Sequence, residues 1–190
     1  MKQLIISIKM LVVMTVLLGI IYPLFITGIA QLAFPSKANG SLVSVNGMVK
    51  GSQLIGQKMD SPLYFNPRPS ATDYNTLPSG ASNLGLTNEK LYRLVQARKA
   101  AIIATDSLSK DAIIPSDLLF ASASGLDPHI SPEAARLQIE RIAKARGFST
   151  EQKQQLKTLV NNFTESPQFG ILGCARVNVF LLNLELDKMK

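Results

Sequence analysis

The sequence predicts an α+β domain carried behind a single N-terminal transmembrane helix. Three observations predict it. Residues Met10 to Ser36 contain no charge, and Met10–Phe34 is apolar almost throughout. Beyond that run, strong helix-capping signals alternate with short strand-like runs. Residues 36–190 are also long enough to bury one core. The chain therefore divides into a cytoplasmic N-terminus (1–9), a transmembrane helix (10–34) and an extracytoplasmic α+β domain (36–190).

Met10–Phe34 holds 25 residues, of which fourteen are Leu, Ile, Val or Phe. As a helix it spans roughly 37 Å, against a hydrocarbon core of about 30 Å. Those fourteen side chains favour insertion by roughly 4 to 8 kcal/mol before Thr, Gly and Pro are subtracted. Gly28-Ile29-Ala30 would pass as a signal-peptide cleavage site. The apolar run exceeds the about 7 to 15 residues of a signal peptide, so an uncleaved anchor is expected. Thr15, Gly19 and Pro23 fall at i, i+4 and i+8, a stripe on which a second membrane helix approaches closely. Pro23 should kink the helix. Lys2, Lys9 and the terminal amine precede the span, while Lys37 and Lys50 follow it. This slight bias favours a cytoplasmic N-terminus and a domain outside.

The chain carries a formal net charge of +7. No block of five or six like charges occurs, which argues against a nucleic-acid footprint. Cys174 is the one cysteine, so no intrachain disulfide forms. It precedes an apolar run and is expected to be a small residue in or near the core.

Leu42 to Val49 reads as a hairpin, with Asn46-Gly47 supplying the positive φ values of a tight turn. Ser61 to Ser82 is a long loop carrying Pro62, Pro67, Pro69 and Pro78. Its Tyr64, Phe65 and Tyr74 should pack it onto the domain. A helix starts near Asn88 and presents Leu91, Val95, Arg98 and Ile102 on one stripe. Ile113–Ala121 is expected to be a short strand. Ser131-Pro132-Glu133 is a helix start, with Ser as N-cap, Pro at the first helical position and an acid in the first turn. Gly147 ends that helix. Ser149 and Gln152 form a capping box for the next one, which runs to about Phe163. Arg176–Leu186 reads as a buried strand.

Ser122 to Glu133 looks most like a site, because it offers Ser124, Asp127 and His129. A serine triad needs a nucleophile, base and acid in hydrogen-bond reach. Three residues this close in sequence rarely meet that geometry, and no Gly-x-Ser-x-Gly elbow is present. His129 is the only histidine, which disfavours a metal site. No phosphate-binding loop or dinucleotide fingerprint occurs. No catalytic residue is therefore assigned. A membrane-tethered hydrolase using Ser124 and His129, and a free-standing binding module, are the competing readings.

Several strings together carry a resemblance. Tyr22-Pro23 lies inside the anchor. Phe34-Pro35, Ala38-Asn39-Gly40-Ser41-Leu42 and Gly51-Ser52-x-Leu54-Ile55-Gly56-Gln57 follow. Then come Tyr64-Phe65-x-x-Arg68-Pro69-Ser70-Ala71, Ser82-Asn83-Leu84 and Ala121 to Asp127. The last are Gln138-Ile139-x-Arg141-x-Ala143-x-Ala145-Arg146, Val177-Asn178-Val179 and Leu182-Asn183-Leu184-x-Leu186-Asp187. In order and spacing they resemble the C subunits of bacterial Kdp potassium-transporting ATPases, over essentially the whole chain.

The resemblance implies an accessory subunit of an inner-membrane potassium uptake pump. Its partners would be a potassium-translocating A subunit, a P-type ATPase B subunit and a small F subunit, within the lipid bilayer. ATP and Mg would be handled by the B subunit, with no cofactor on this chain. The implied role is assembly factor and catalytic chaperone, raising the ATP affinity of the B subunit. Gln138 corresponds to a signature likened to a nucleotide contact. Two loops, Arg68-Pro69-Ser70 and the segment holding Ser124, Asp127 and His129, are the candidate partner contacts.

Overall fold

The computed structural model describes residues 1–189 and resolves into two compact units, Met1–Ser52 and the chain from Gln53 onward. In the first, a continuous helical stretch runs over Lys2–Ala33, long and apolar enough to cross a membrane. It comprises α1 (Lys2–Val16), a π turn (Leu17–Ile21) and α2 (Tyr22–Ala33). The helix thus begins well before the charge-free run, because Leu4, Ile5, Ile6 and Ile8 extend its apolar character.

The π turn is the local answer to Pro23. Proline offers no N–H and its ring crowds the carbonyl one turn earlier. The Tyr22 N–H bonds to the Leu17 carbonyl, five residues back, which widens the turn just ahead of the proline. After Phe34 the short helix α3 (Pro35–Ala38) is tied to the end of α2 by reciprocal amide bonds between Gln31 and Asn39 (3.1 and 3.3 Å). The expected hairpin follows as β1 (Leu42–Val45) and β2 (Met48–Ser52), with positive φ at Asn46 and Gly47 and a register shift between Val43 and Ser44.

The second unit opens with loops up to α4 (Glu89–Thr105), whose N-cap Asn88 accepts from the Lys90 N–H. The strand expected over Ile113–Ala121 is instead a single helical turn, α5 (Ser116–Leu119). Pro115 is the extended N-cap of this turn and Leu118 is buried in the core, so a tertiary contact overrides strand propensity. Two helices match their capping signals. α6 (Pro132–Arg146) starts at Ser131 and ends at Gly147, which is left-handed with φ 66°. α7 (Thr150–Asn162) starts at the Ser149–Gln152 capping box.

The buried strand expected over Arg176–Leu186 is also corrected. Only β5 (Arg176–Asn178) is extended; Val179–Leu186 is helix α8. Asn178 makes the switch, since its side chain accepts from the Leu181 N–H as an N-cap. β5 is the centre of a three-stranded antiparallel sheet, between β3 (His129–Ile130) and β4 (Thr164–Glu165). Leu182, Leu186, Val177, Ile142, Leu156 and Phe65 are fully buried where α6, α7, α8 and β5 meet. Cys174, expected in or near the core, is exposed on the loop before β5.

Candidate functional site

The long loop is clamped by polar groups reaching out of the core. Asn183 on α8 is buried and reads the backbone of Phe65 from both sides. Its Oδ1 accepts from the Phe65 N–H (2.8 Å) and its Nδ2 donates to the Phe65 carbonyl (2.9 Å). Gln138 on α6 does the same for Asn66. Its Oε1 accepts from the Asn66 N–H (2.7 Å), and its Nε2 donates to the Asn66 and Ala134 carbonyls (3.2 Å each). The Arg141 Nη2 donates to the same Oε1 (2.7 Å). The Gln138 side chain is 2% exposed, and both its donors and both its lone pairs are engaged. No hydrogen-bonding edge of this amide faces outward.

Arg141 extends the clamp. Its Nη1 donates to the carbonyls of Pro62 (2.6 Å) and Tyr64 (3.1 Å), and its Nε pairs with Asp106 at 2.6 Å. Both side chains of that ion pair are about 95% buried. Burial pushes the Asp106 carboxyl up, while Arg141 pulls it down. Arg146 completes the row, donating to the Leu63 carbonyl, pairing with Asp187 and lying over the Tyr64 ring at 4.9 Å.

The two candidate contact loops form one junction. Arg68 pairs with Asp127 across 59 positions of sequence, Nη1 to Oδ2 at 3.0 Å. The Ser122 N–H donates to the Pro69 carbonyl and the Gly80 N–H to the Ser124 carbonyl. Ser70 Oγ accepts from the N–H groups of Thr72 and Tyr74, folding its own loop. Gly125, at φ 72°, is where the loops touch: a Cβ there would lie 2.8 Å from Thr72 Oγ1 and 3.0 Å from the Gly80 carbonyl. A third strand of chain joins at Gly56, whose N–H donates to the Leu126 carbonyl (2.7 Å). A Cβ on Gly56 would meet the Asp127 carbonyl at 2.6 Å.

Asp127 is the electrostatic centre of this junction. Burial alone would raise its carboxyl, but hydrogen bonds from the His129 ring, the His129 N–H and Arg68 outweigh that and hold it at about 2. The His129 Nδ1 lies 3.4 Å from Asp127 Oδ1, and His129 pairs with Asn178 in the sheet. Ser124 Oγ is used locally, accepting from the Leu126 N–H (3.1 Å). Among the described residues Ser124 makes no hydrogen bond to His129, so the juxtaposition required of a serine triad is not made.

Arg68, Asp127, His129, Asp117, Glu133 and Arg176 all line an open groove of about 840 Å³. The start of α6 borders the groove but is already satisfied. The Ser131 N–H and Oγ both donate to the Asp117 carboxylate, and Ser131 Oγ accepts from the Ala134 N–H. Among the described residues no cluster of His, Cys, Asp and Glu is suited to a metal ion.

In the membrane-length helix, Thr15 and Gly19 stack: a Cβ on Gly19 would sit 4.0 Å from Thr15 Cγ2. Pro23 follows one turn later. The π turn takes up more than 3.6 residues, which draws positions four apart closer to alignment.

The sequence marks Arg68, Asp127 and His129, and the resemblance adds Gln138, but Arg141, Arg146, Asn183 and Asp106 are not visible there as a connected group. One signal was available. Asn183 sits inside an almost wholly apolar run, and a polar residue placed there must find buried partners.

Fold and site together define a class: one bilayer-length helix joined to an α+β domain whose polar clusters are spent on holding its own loops. Comparison with known sequences gives the particular family. The family model for KdpC, described as the K+-transporting ATPase c chain, matches residues 4–188. A Koribacter versatilis protein named potassium-transporting ATPase KdpC subunit is 48% identical over 188 residues, covering 98% of this chain and 94% of its own. The Geobacter sulfurreducens protein of the same name is 49% identical over 193 residues, covering 100% and 99%. That of Herpetosiphon aurantiacus is 49% identical over 183 residues, covering 95% and 93%. The chain belongs to the KdpC family.

Proposed function

We propose that this chain is a non-catalytic subunit of an ATP-driven potassium import complex, fixed in the plasma membrane by its N-terminal helix with the second unit outside the cell membrane. The observation that carries this reading is the full-length match to proteins named as KdpC subunits of potassium-transporting ATPases. Its partners are the channel-like A subunit, the P-type ATPase B subunit and the small F subunit. ATP and Mg belong to the B subunit.

In this reading the Thr15–Gly19–Pro23 stripe packs against a partner helix, and the junction of Arg68-Pro69-Ser70 with Ser124, Asp127 and His129 fixes the domain on the outer face of the pump. A domain outside the membrane does not reach cytoplasmic ATP. Its chaperone effect on ATP affinity is then a coupling free energy, exerted by favouring one conformation of the partner. Gln138 serves that effect indirectly, by holding the loop that presents the junction.

The test is reconstitution. A complex assembled without this chain should show weak apparent ATP affinity, and adding the chain should restore it at fixed stoichiometry. Gly19→Leu should weaken co-purification, because a side chain there fills the close approach. Undiminished ATP affinity without the chain would refute the chaperone role; unchanged co-purification of Gly19→Leu would remove the stripe.

A further inference from the structure

Between Glu165 and Arg176 the chain carries no charge, and its middle is Phe169-Gly170-Ile171-Leu172. Phe169 and Ile171 are 83% exposed and Leu172 is 56% exposed. Isolated apolar residues on a surface need no explanation, but three at one tip mark a contact. The tip is a built wedge. Gln168 and Leu172 exchange both backbone hydrogen bonds (2.9 Å each), and the Gly170 N–H bonds to the Pro167 carbonyl (2.9 Å). Phe169 is held at φ 56°, a left-handed conformation that a bulky residue adopts only under constraint. Ile113, 92% exposed, lines the same groove as Cys174 and Ala175, which follow this turn in sequence.

We propose that the turn formed by residues 167–173 dips into the surface of the lipid bilayer, with Phe169 and Ile171 as the inserted side chains. Three features select lipid as the occupant. The N–H groups of Gln168, Gly170, Ile171 and Leu172 are already paired within the turn, so these four donors lose no water on entering the headgroup region. The segment carries no charge to desolvate. The second unit itself, residues 53–190, carries a formal net charge of +3, which complements anionic headgroups. The proposal rests on the anchoring of the N-terminal helix, which keeps the second unit tethered near a bilayer at high effective concentration.

The native chain contains no tryptophan, so Phe169→Trp introduces a single indole reporter at the tip. The full chain carrying it is reconstituted into phosphatidylcholine–phosphatidylglycerol vesicles, with and without lipids brominated on the acyl chain. Lys157→Trp, on the exposed face of α7, is the comparison, and Ile171→Trp repeats the test at the second inserted position. Flotation of each variant with the vesicles checks the anchor separately. The expected result is blue-shifted emission, quenched by brominated lipid several-fold more strongly at 169 and 171 than at 157. Water-like emission at both positions in a chain that floats overturns the proposal. So does a blue shift that brominated lipid leaves unquenched, which would assign the tip to a protein contact.

Discussion

Asp127 concentrates the chemistry of the loop junction, and its consequences are read at the scale of one residue. Its carboxyl is depressed in the folded chain, so it contributes stability above the unfolded value near 3.8 and loses it as pH falls towards about 2. The contribution is about 1 to 2 kcal/mol after allowing for its partial exposure. Denaturant unfolding of the chain should therefore show a loss of stability between pH 4 and pH 2, and Asp127→Asn should flatten that loss while lowering stability at neutral pH. Gln138 makes a sharper contrast. Gln138→Ala would strip partners from the Asn66 N–H and carbonyl and from Arg141. Unsatisfied buried groups of this kind cost about 2 to 4 kcal/mol together, visible as a lower unfolding midpoint. A residue kept only for nucleotide contact would leave that midpoint where it is.

At the scale of elements, the loops behave as one body because their backbones bond directly to one another, at Gly56–Leu126, Gly80–Ser124 and Ser122–Pro69. Gly56→Ala would push a Cβ into the Asp127 carbonyl, and the neighbour there is backbone rather than a flexible side chain. It should destabilise by about 1 to 3 kcal/mol. Amide exchange should quicken along 68–80 and 122–129 together, whereas independent loops would respond separately. The same scale explains what the sequence disclosed. The ends of α6 and α7 were legible because caps are local: Ser131, Gly147 and the Ser149–Gln152 pair lie within a few residues of the groups they satisfy. α8 was not. Its residues are apolar on nearly every face, so neither a two-residue nor a 3.6-residue period shows, and the switch depends on one cap at Asn178. The inner clamp was invisible for another reason. Asn183 and Phe65 lie 118 positions apart, Gln138 and Asn66 lie 72 apart, and no local pattern links them. Arg68 and Asp127 were each legible as candidate contact residues, but their pairing was not.

For the whole molecule, one helix is long and apolar enough to cross a membrane, and the polar clusters lie in the second unit. Cys174 gives a direct reading of orientation, being the only cysteine and exposed. With the second unit outside, a membrane-impermeant thiol reagent should label the chain in intact cells, and Cys174→Ser should abolish that labelling. Labelling only after the membrane is permeabilised with the assembly left intact would invert the topology. The central claim is membership of a potassium-transporting complex, and recovery of the tagged chain from its native membrane in mild detergent tests it most directly. The account predicts that a P-type ATPase and a large polytopic potassium-translocating protein come with it in fixed ratio, as judged by mass spectrometry. Recovery of the folded chain alone would contradict it.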